Sequence, residues 1–464
     1  MTLHELDLRP GPSAARRVGS AGAPALLLLL AALACNLPGS APPSPTAPPT
    51  APAAAATAEI AAALATATFT PVPPTPTPTS TPEPTAVPLF HLVFADGGDA
   101  WYSDGLAPAR RLTGGGGISE VFLSDDGQLA ALLLRDPVND TAELQVIQTD
   151  GSDRRTLLRA EEFDRLHPLE GFLHITPSRL AFVPGTHSLL FNTRAVFEGP
   201  GLAKFDDLFA LDGDSGVLTP LLPPGSGGDF WFSPDGGRLA LVRPDSIGVV
   251  GADGGDPHLR SLTFLPVITY SEYSYYPLPV WSPDSSLLRV VIPSPDPFAS
   301  RTGGDVWNIP ADGSPPMHVR ELSGDLFRPQ AAAALISPDL AWLAFTRNSS
   351  TPGGSQLILT LLVDGAETVY DRGTIQWTGW APDSRHFVYS REGGAALQLG
   401  QLGSPPSPLA AGIGLRWLDG DTFLYLSGSP GSWSIMLGGL GEAARPLAAP
   451  AGDFVSFDVA ASSP

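Results

Sequence analysis

From residue 89 onward the chain consists of short apolar runs broken at regular intervals by turn residues. Examples are Arg238-Leu239-Ala240-Leu241-Val242, Trp342-Leu343-Ala344-Phe345 and His386-Phe387-Val388-Tyr389. Runs of this length, rich in β-branched and aromatic residues, predict strands rather than helices. Two series of turn signals punctuate them. The first is Ser-Pro-Asp-Gly or a relative of it: Ser124-Asp125-Asp126-Gly127, Ser233-Pro234-Asp235-Gly236, Ser282-Pro283-Asp284-Ser285, Ser337-Pro338-Asp339 and Ala381-Pro382-Asp383-Ser384, with degenerate copies at Val183-Pro184-Gly185 and Leu418-Asp419-Gly420. The second is an Asp-Gly pair at 104, 150, 212, 253, 312 and 364, with weaker members at Gly403 and Gly439. Asp-Gly between apolar runs marks a tight hairpin, because glycine tolerates the positive φ of the turn. An aspartate after proline closes the other turn by accepting a hydrogen bond from its own backbone two residues on.

The repeating unit therefore reads strand a, Pro-Asp turn, strand b, loop, strand c, Asp-Gly turn, strand d. Four antiparallel strands recurring along a chain predict a β-propeller, an all-β fold. The Trp281-Ser282-Pro283-Asp284 sequence and its copies resemble the TolB-type, WD-repeat-like propellers, over roughly residues 89–464. That resemblance implies a fold and leaves function open, since such propellers serve many roles.

Seven Pro-Asp turns face eight Asp-Gly turns. The missing one falls where the chain begins and ends: Phe90-His91-Leu92-Val93-Phe94 reads as a strand b, Ala100-Trp101-Tyr102 as a strand c, and Phe454-Val455-Ser456-Phe457 as a strand a with nothing after it. Joining them completes one blade from both termini and leaves no free sheet edge. Eight four-stranded blades are expected; seven is the alternative, with the irregular repeat at 180–212 then an insertion.

The first 88 residues have a different character. Arg16 and Arg17 precede an apolar run from Ala23 to Ala34, the length of a signal-peptide core and too short to span a bilayer. Ala32-Leu33-Ala34-Cys35 closes it, and Cys35 is the sole cysteine. These residues resemble the lipobox of bacterial lipoproteins, with Ala32 where that family prefers leucine. The resemblance implies a signal over 1–34 and a lipid on Cys35 anchoring the protein to a cell membrane on its extracytoplasmic side. An ordinary cleaved signal with an incidental cysteine is the other reading. Residues 35–88 are almost entirely Ala, Pro, Thr and Ser, with too little apolar bulk to form a core, so they are expected to be a disordered, polyproline-like stalk.

A formal net charge of −21, with Lys204 the sole lysine, repels phosphate backbones and excludes nucleic acid as a partner. One cysteine excludes a disulfide framework and a Cys-based zinc site. No metal or cofactor is implied. Asp212 and Asp214 have calcium-loop spacing but lack the third aspartate and the closing glutamate. Gly213-Asp214-Ser215-Gly216 matches a serine-protease motif inside a hairpin, with no histidine motif to accompany it. His167 and His174 share a loop without a third ligand. Glycines 114–117 sit in a connection and open no helix, so no nucleotide site is implied.

In this topology the a–b and c–d turns share one face, and all are tight. Long connections at 159–177, 193–206, 262–279, 293–305 and 347–355 belong to the other face, in blades two to five counted from the first complete one. Long loops on a rigid scaffold are where binding residues concentrate. The segment Tyr270-Ser271-Glu272-Tyr273-Ser274-Tyr275-Tyr276-Pro277 holds four of the eight tyrosines. Tyr270, Glu272, Tyr273, Tyr275 and Tyr276 are candidates for stacking on a sugar or clamping a peptide; the plainer reading has alternate tyrosines packed between blades. Arg194, Arg301 and Arg347, placed in neighbouring long loops, are candidates to meet a carboxylate. The expected function is that of a monomeric, non-catalytic module binding a protein, peptide or glycan. Two other readings stay open: a glycan lyase or hydrolase, with Tyr273, Tyr275, Glu272, Arg301 and His174 gathered in one pocket, and a structural scaffold without a small ligand.

Overall fold

The computed structural model describes residues 90–199, 201, 203–297, 303–324, 326–327, 334–349, 354–391 and 396–462. The signal segment, Cys35, the stalk and Arg301 lie outside them. Eight antiparallel sheets follow one another and form a propeller. Blade 1 spans the strands from Ile118–Leu123 to Arg155–Leu158, blade 2 those from His174–Phe182 to Leu218–Leu222, blade 3 Asp229–Phe232 to His258–Thr263, and blade 4 Val280–Trp281 to Met317–Ser323. Blades 5 to 7 end with the strands Glu367–Gly373, Ser404–Ala411 and Glu442–Ala448. Blade 8 joins Phe90–Asp96, Asp99–Ser103 and Arg110–Arg111 to the C-terminal strand Ser456–Ala461, with Phe94 opposite Phe457. Closure through both termini is thus as the repeat count predicts.

Two blades depart from the four-strand pattern. Blade 2 carries an extra short strand, Ala203–Lys204, laid against Arg194 and Ala195 at the end of its second strand. It is a blade with an elaborated loop and not an insertion between blades. Among the described residues blade 5 is a three-stranded ladder, with a single bridge, Ile336 to Leu343, at the place of its innermost strand.

Apolar side chains from facing sheets form the layers between blades. Phe191 and Leu211 of blade 2 meet Leu129 and Leu144 of blade 1, and Trp231 and Val242 of blade 3 meet Trp281 and Val290 of blade 4. The tryptophan before the Pro-Asp turn also spans the joint: Trp281 donates from its indole nitrogen to the carbonyl of Trp231 in the preceding blade at 3.0 Å, and Trp380 to that of Leu335 at 2.9 Å.

The loop boundaries shift where long strands replace expected loops. The connection after blade 1 contains the helix Ala160–Asp164 and ends at His174. The second strand of blade 2, Ser188–Val196, contains Arg194, and that of blade 5, Trp342–Asn348, contains Arg347, so both arginines lie on strand ends and not in loops. Their alternating backbone pairs on into what the sequence presented as loop: Arg194 lies opposite Thr176, and Arg347 opposite Gln356.

Candidate functional site

The connection from blade 3 to blade 4 leaves the sheet after Thr263 and rejoins it at Val280. Proline at 266 and 277 and the left-handed backbone of Tyr270 (φ 55°) keep it out of any sheet. Its tip folds on itself: the Thr269 hydroxyl donates to the Tyr273 carbonyl at 2.6 Å. It is tied sideways to the b–c loop of blade 4, where Ile268 donates its N–H to the Pro295 carbonyl at 2.8 Å and the Tyr270 hydroxyl donates to Asp296 at 3.3 Å. Residues 267–274, Glu272 among them, line a shallow, open concavity of about 580 Å³.

The four tyrosines divide into two pairs. Tyr270 and Tyr273 are 69% and 40% exposed, whereas Tyr275 is 8% exposed. Tyr275 packs on Val267 and on the Phe327 ring, 5.2 Å between centroids. Tyr276 turns toward blade 2: its hydroxyl donates to Asp206 Oδ1 at 3.0 Å, and the Lys204 ammonium lies over its ring at 4.0 Å. Packing thus falls on the adjacent pair 275 and 276 and not on alternate tyrosines, while the outer pair is presented to solvent.

Beneath the connection sits a polar cluster that sequence reasoning missed. Lys204 Nζ donates to both Asp229 oxygens at 2.7 and 2.6 Å, and Asn192 donates to Asp229 at 3.0 Å. Burial opposes ionisation of Asp229, but the Lys204 charge holds its carboxyl below the usual range. Burial pushes Asp206 up to about 6, against the hydrogen bond from Tyr276. These groups come from two blades and a connection, so no local spacing announces them. The one available signal was the sole lysine lying beside Asp206-Asp207 in an elaborated loop.

The remaining candidates separate. Arg347 is engaged, donating to both Glu367 oxygens at 2.9 and 3.0 Å and to the Ser323 carbonyl. His174 bonds Asp164 at 3.0 Å and His167 bonds buried Asp207 at 2.6 Å, so the two histidines serve different aspartates. Tyr273 and Glu272 share the concavity, Tyr275 and His174 are anchored elsewhere, and Arg301 lies outside the described residues.

Fold and site together define an eight-bladed propeller with one face of tight turns and one face built up by long connections. No family model matches the chain, and no curated protein matches it. Among solved structures, it is similar to TolB from Acinetobacter baumannii at 12% identity, covering 79% of each chain, with a TM-score of 0.37. A eukaryotic initiation factor matches at 10% identity over 80% of this chain and 98% of its own, TM-score 0.43. An oligogalacturonate lyase from Vibrio parahaemolyticus matches at 12% over 67% and 82%, TM-score 0.39. The fold assignment rests on the strand pairing of the chain itself.

Proposed function

We propose that this protein is a lipid-anchored, extracytoplasmic recognition module that binds a protein, peptide or glycan through the long-connection face of its propeller. The observation that carries the reading is the division of the tyrosines. Tyr275 and Tyr276 fix the connection to its neighbours, and Tyr270 and Tyr273 are thereby held outward over a concavity. Rigid aromatic rings with few rotatable bonds give contact area at small entropic cost. The anchor and the reach come from the sequence: an export-type apolar run ending at Cys35, then a Pro/Thr stalk that at about 3 Å per residue spans on the order of 100 Å.

The test is binding of the full-length protein to glycan and peptide arrays. Replacing Tyr270→Ala and Tyr273→Ala together is expected to reduce the bound signal at least about tenfold, the loss typical of a central aromatic contact. Retention of full binding in that double variant overturns the assignment of the face.

A further inference from the structure

Arg135 and Arg194 occupy the same place in neighbouring blades. The a–b turns of blades 1 and 2 close in the same way, Ser124 N–H to the Leu129 carbonyl and Val183 N–H to the Ser188 carbonyl. Each arginine is then the seventh residue of the strand that follows, Leu129–Asp136 or Ser188–Val196. Three polar groups here lack what they need. Arg194 is half-buried, and among the described residues its guanidinium makes no hydrogen bond or ion pair. Arg135 gives its Nε and Nη2 to Glu120 Oε1 at 3.3 and 3.1 Å, but its Nη1 is buried without a partner. Thr176, directly opposite Arg194 on the innermost strand of blade 2, is fully buried with an unpartnered hydroxyl. Cross-strand neighbours in register have their side chains on one face, about 5 Å apart at Cβ.

A half-buried cation without a counter-ion is costly, as is a buried hydroxyl without a bond, and an anion between them relieves both. Burial first, and then the charge of Arg135, hold Arg194 below the usual guanidinium range. The other groups acting on it are Asp140, Glu120 and the Tyr273 phenol of the binding connection. Glu120 is occupied by Arg135, and Asp140 is exposed, where water screens it.

We propose that Arg194, Arg135 Nη1 and the Thr176 hydroxyl form a subsite for the C-terminal carboxylate of a peptide, beside Tyr273. The proposal rests on the recognition reading above and names the ligand class. A planar carboxylate suits a guanidinium fork. A net charge of −21 disfavours a polyanionic glycan and tolerates one localised negative charge. Exposed Leu265 and Ile268 on the same connection offer apolar surface to the peptide side chains that precede the terminus.

The test uses the full-length protein labelled with ¹⁵N only at arginine, its Nε–H signals assigned through Arg135→Lys and Arg194→Lys. Titration with N-acetylglycinate at millimolar concentrations is expected to shift the Arg194 and Arg135 signals saturably, and N-acetylglycinamide is expected to leave them in place. Arg194→Lys keeps the charge and loses the fork, and is expected to weaken the effect on Arg135 about tenfold. Arg154→Gln, an exposed change in the turn of the opposite face, is expected to alter nothing. The acid and amide comparison needs no variant, so a folding defect cannot obscure it. No saturable shift, or equal shifts with acid and amide, overturns the subsite. Tighter binding of glucuronate than of N-acetylglycinate overturns the peptide assignment. A silent titration alongside tyrosine-dependent array binding rejects the subsite and leaves the recognition face standing.

Discussion

Asp206 adopts a left-handed backbone conformation (φ 49°), with the Tyr276 hydroxyl bonded to its carboxylate and the charges of Asp229, Lys204 and Arg243 acting on it. Burial raises its pKa from 3.8 to about 6, so the folded state prefers the neutral acid more than the unfolded chain does. The stability this contributes is complete below the unfolded value and is lost as pH rises through the folded one. Asp206→Asn removes the titration and keeps an acceptor for Tyr276. Relative to the parent, the variant should gain roughly 1–2 kcal/mol between about pH 4 and 7, after allowing for partial contact with water. Chemical denaturation at both pH values measures it, and a constant difference between the two proteins contradicts it. At this scale the sequence exposed the tyrosine cluster, because four identical side chains in eight residues stand out. It concealed which rings turn inward, since that is decided by Asp206, Lys204 and Phe327, all distant in the chain.

The turns show why the repeat has its particular composition. In blades 1, 3, 4 and 5 the serine hydroxyl donates to the aspartate two residues on, at 2.5–2.6 Å, and accepts the N–H of a residue that opens the next strand. The same aspartate accepts the N–H two residues beyond itself, as Asp339 does from Ala341 at 3.0 Å. One side-chain pair thereby closes the whole turn. Ser337→Ala removes a buried hydroxyl and leaves the Trp342 N–H without that acceptor, so it should cost about 1–2 kcal/mol in thermal unfolding, against about 0.5 or less for an exposed serine such as Ser314. An equal effect at the two sites refutes this role. The aspartate half of the device was legible from spacing. The serine recurs at the same spacing, but its double role as donor to the aspartate and acceptor from the next strand is visible only once its partners are seen. Blade 2 gives the converse case: its Asp212-Gly213 pair promises a two-residue hairpin, yet the left-handed residue is Gly216 (φ 74°), in a longer turn held by Asp212 accepting the N–H groups of Asp214 and Ser215.

For the whole molecule, closure couples the chain ends. The C-terminal strand pairs with Phe90–Asp96, and its side chains also accept bonds from the innermost strand of blade 1, Ser456 from Val121 N–H at 3.3 Å and Asp458 from Leu123 N–H at 2.9 Å. The unequal count of the two turn series had already implied this join, since each blade needs one of each. The difference between the two faces was equally legible from loop lengths, although strand ends absorb Arg194 and Arg347, which the sequence assigned to loops. Site-specific photo-crosslinking in native cells tests that difference between the faces. A benzophenone amino acid is placed at Tyr273 on the long-connection face, or at Val363, which is 85% exposed in a c–d turn of the other face. Crosslinked adducts are expected from position 273 and none from position 363. Adducts from 363 with none from 273 contradict this expectation.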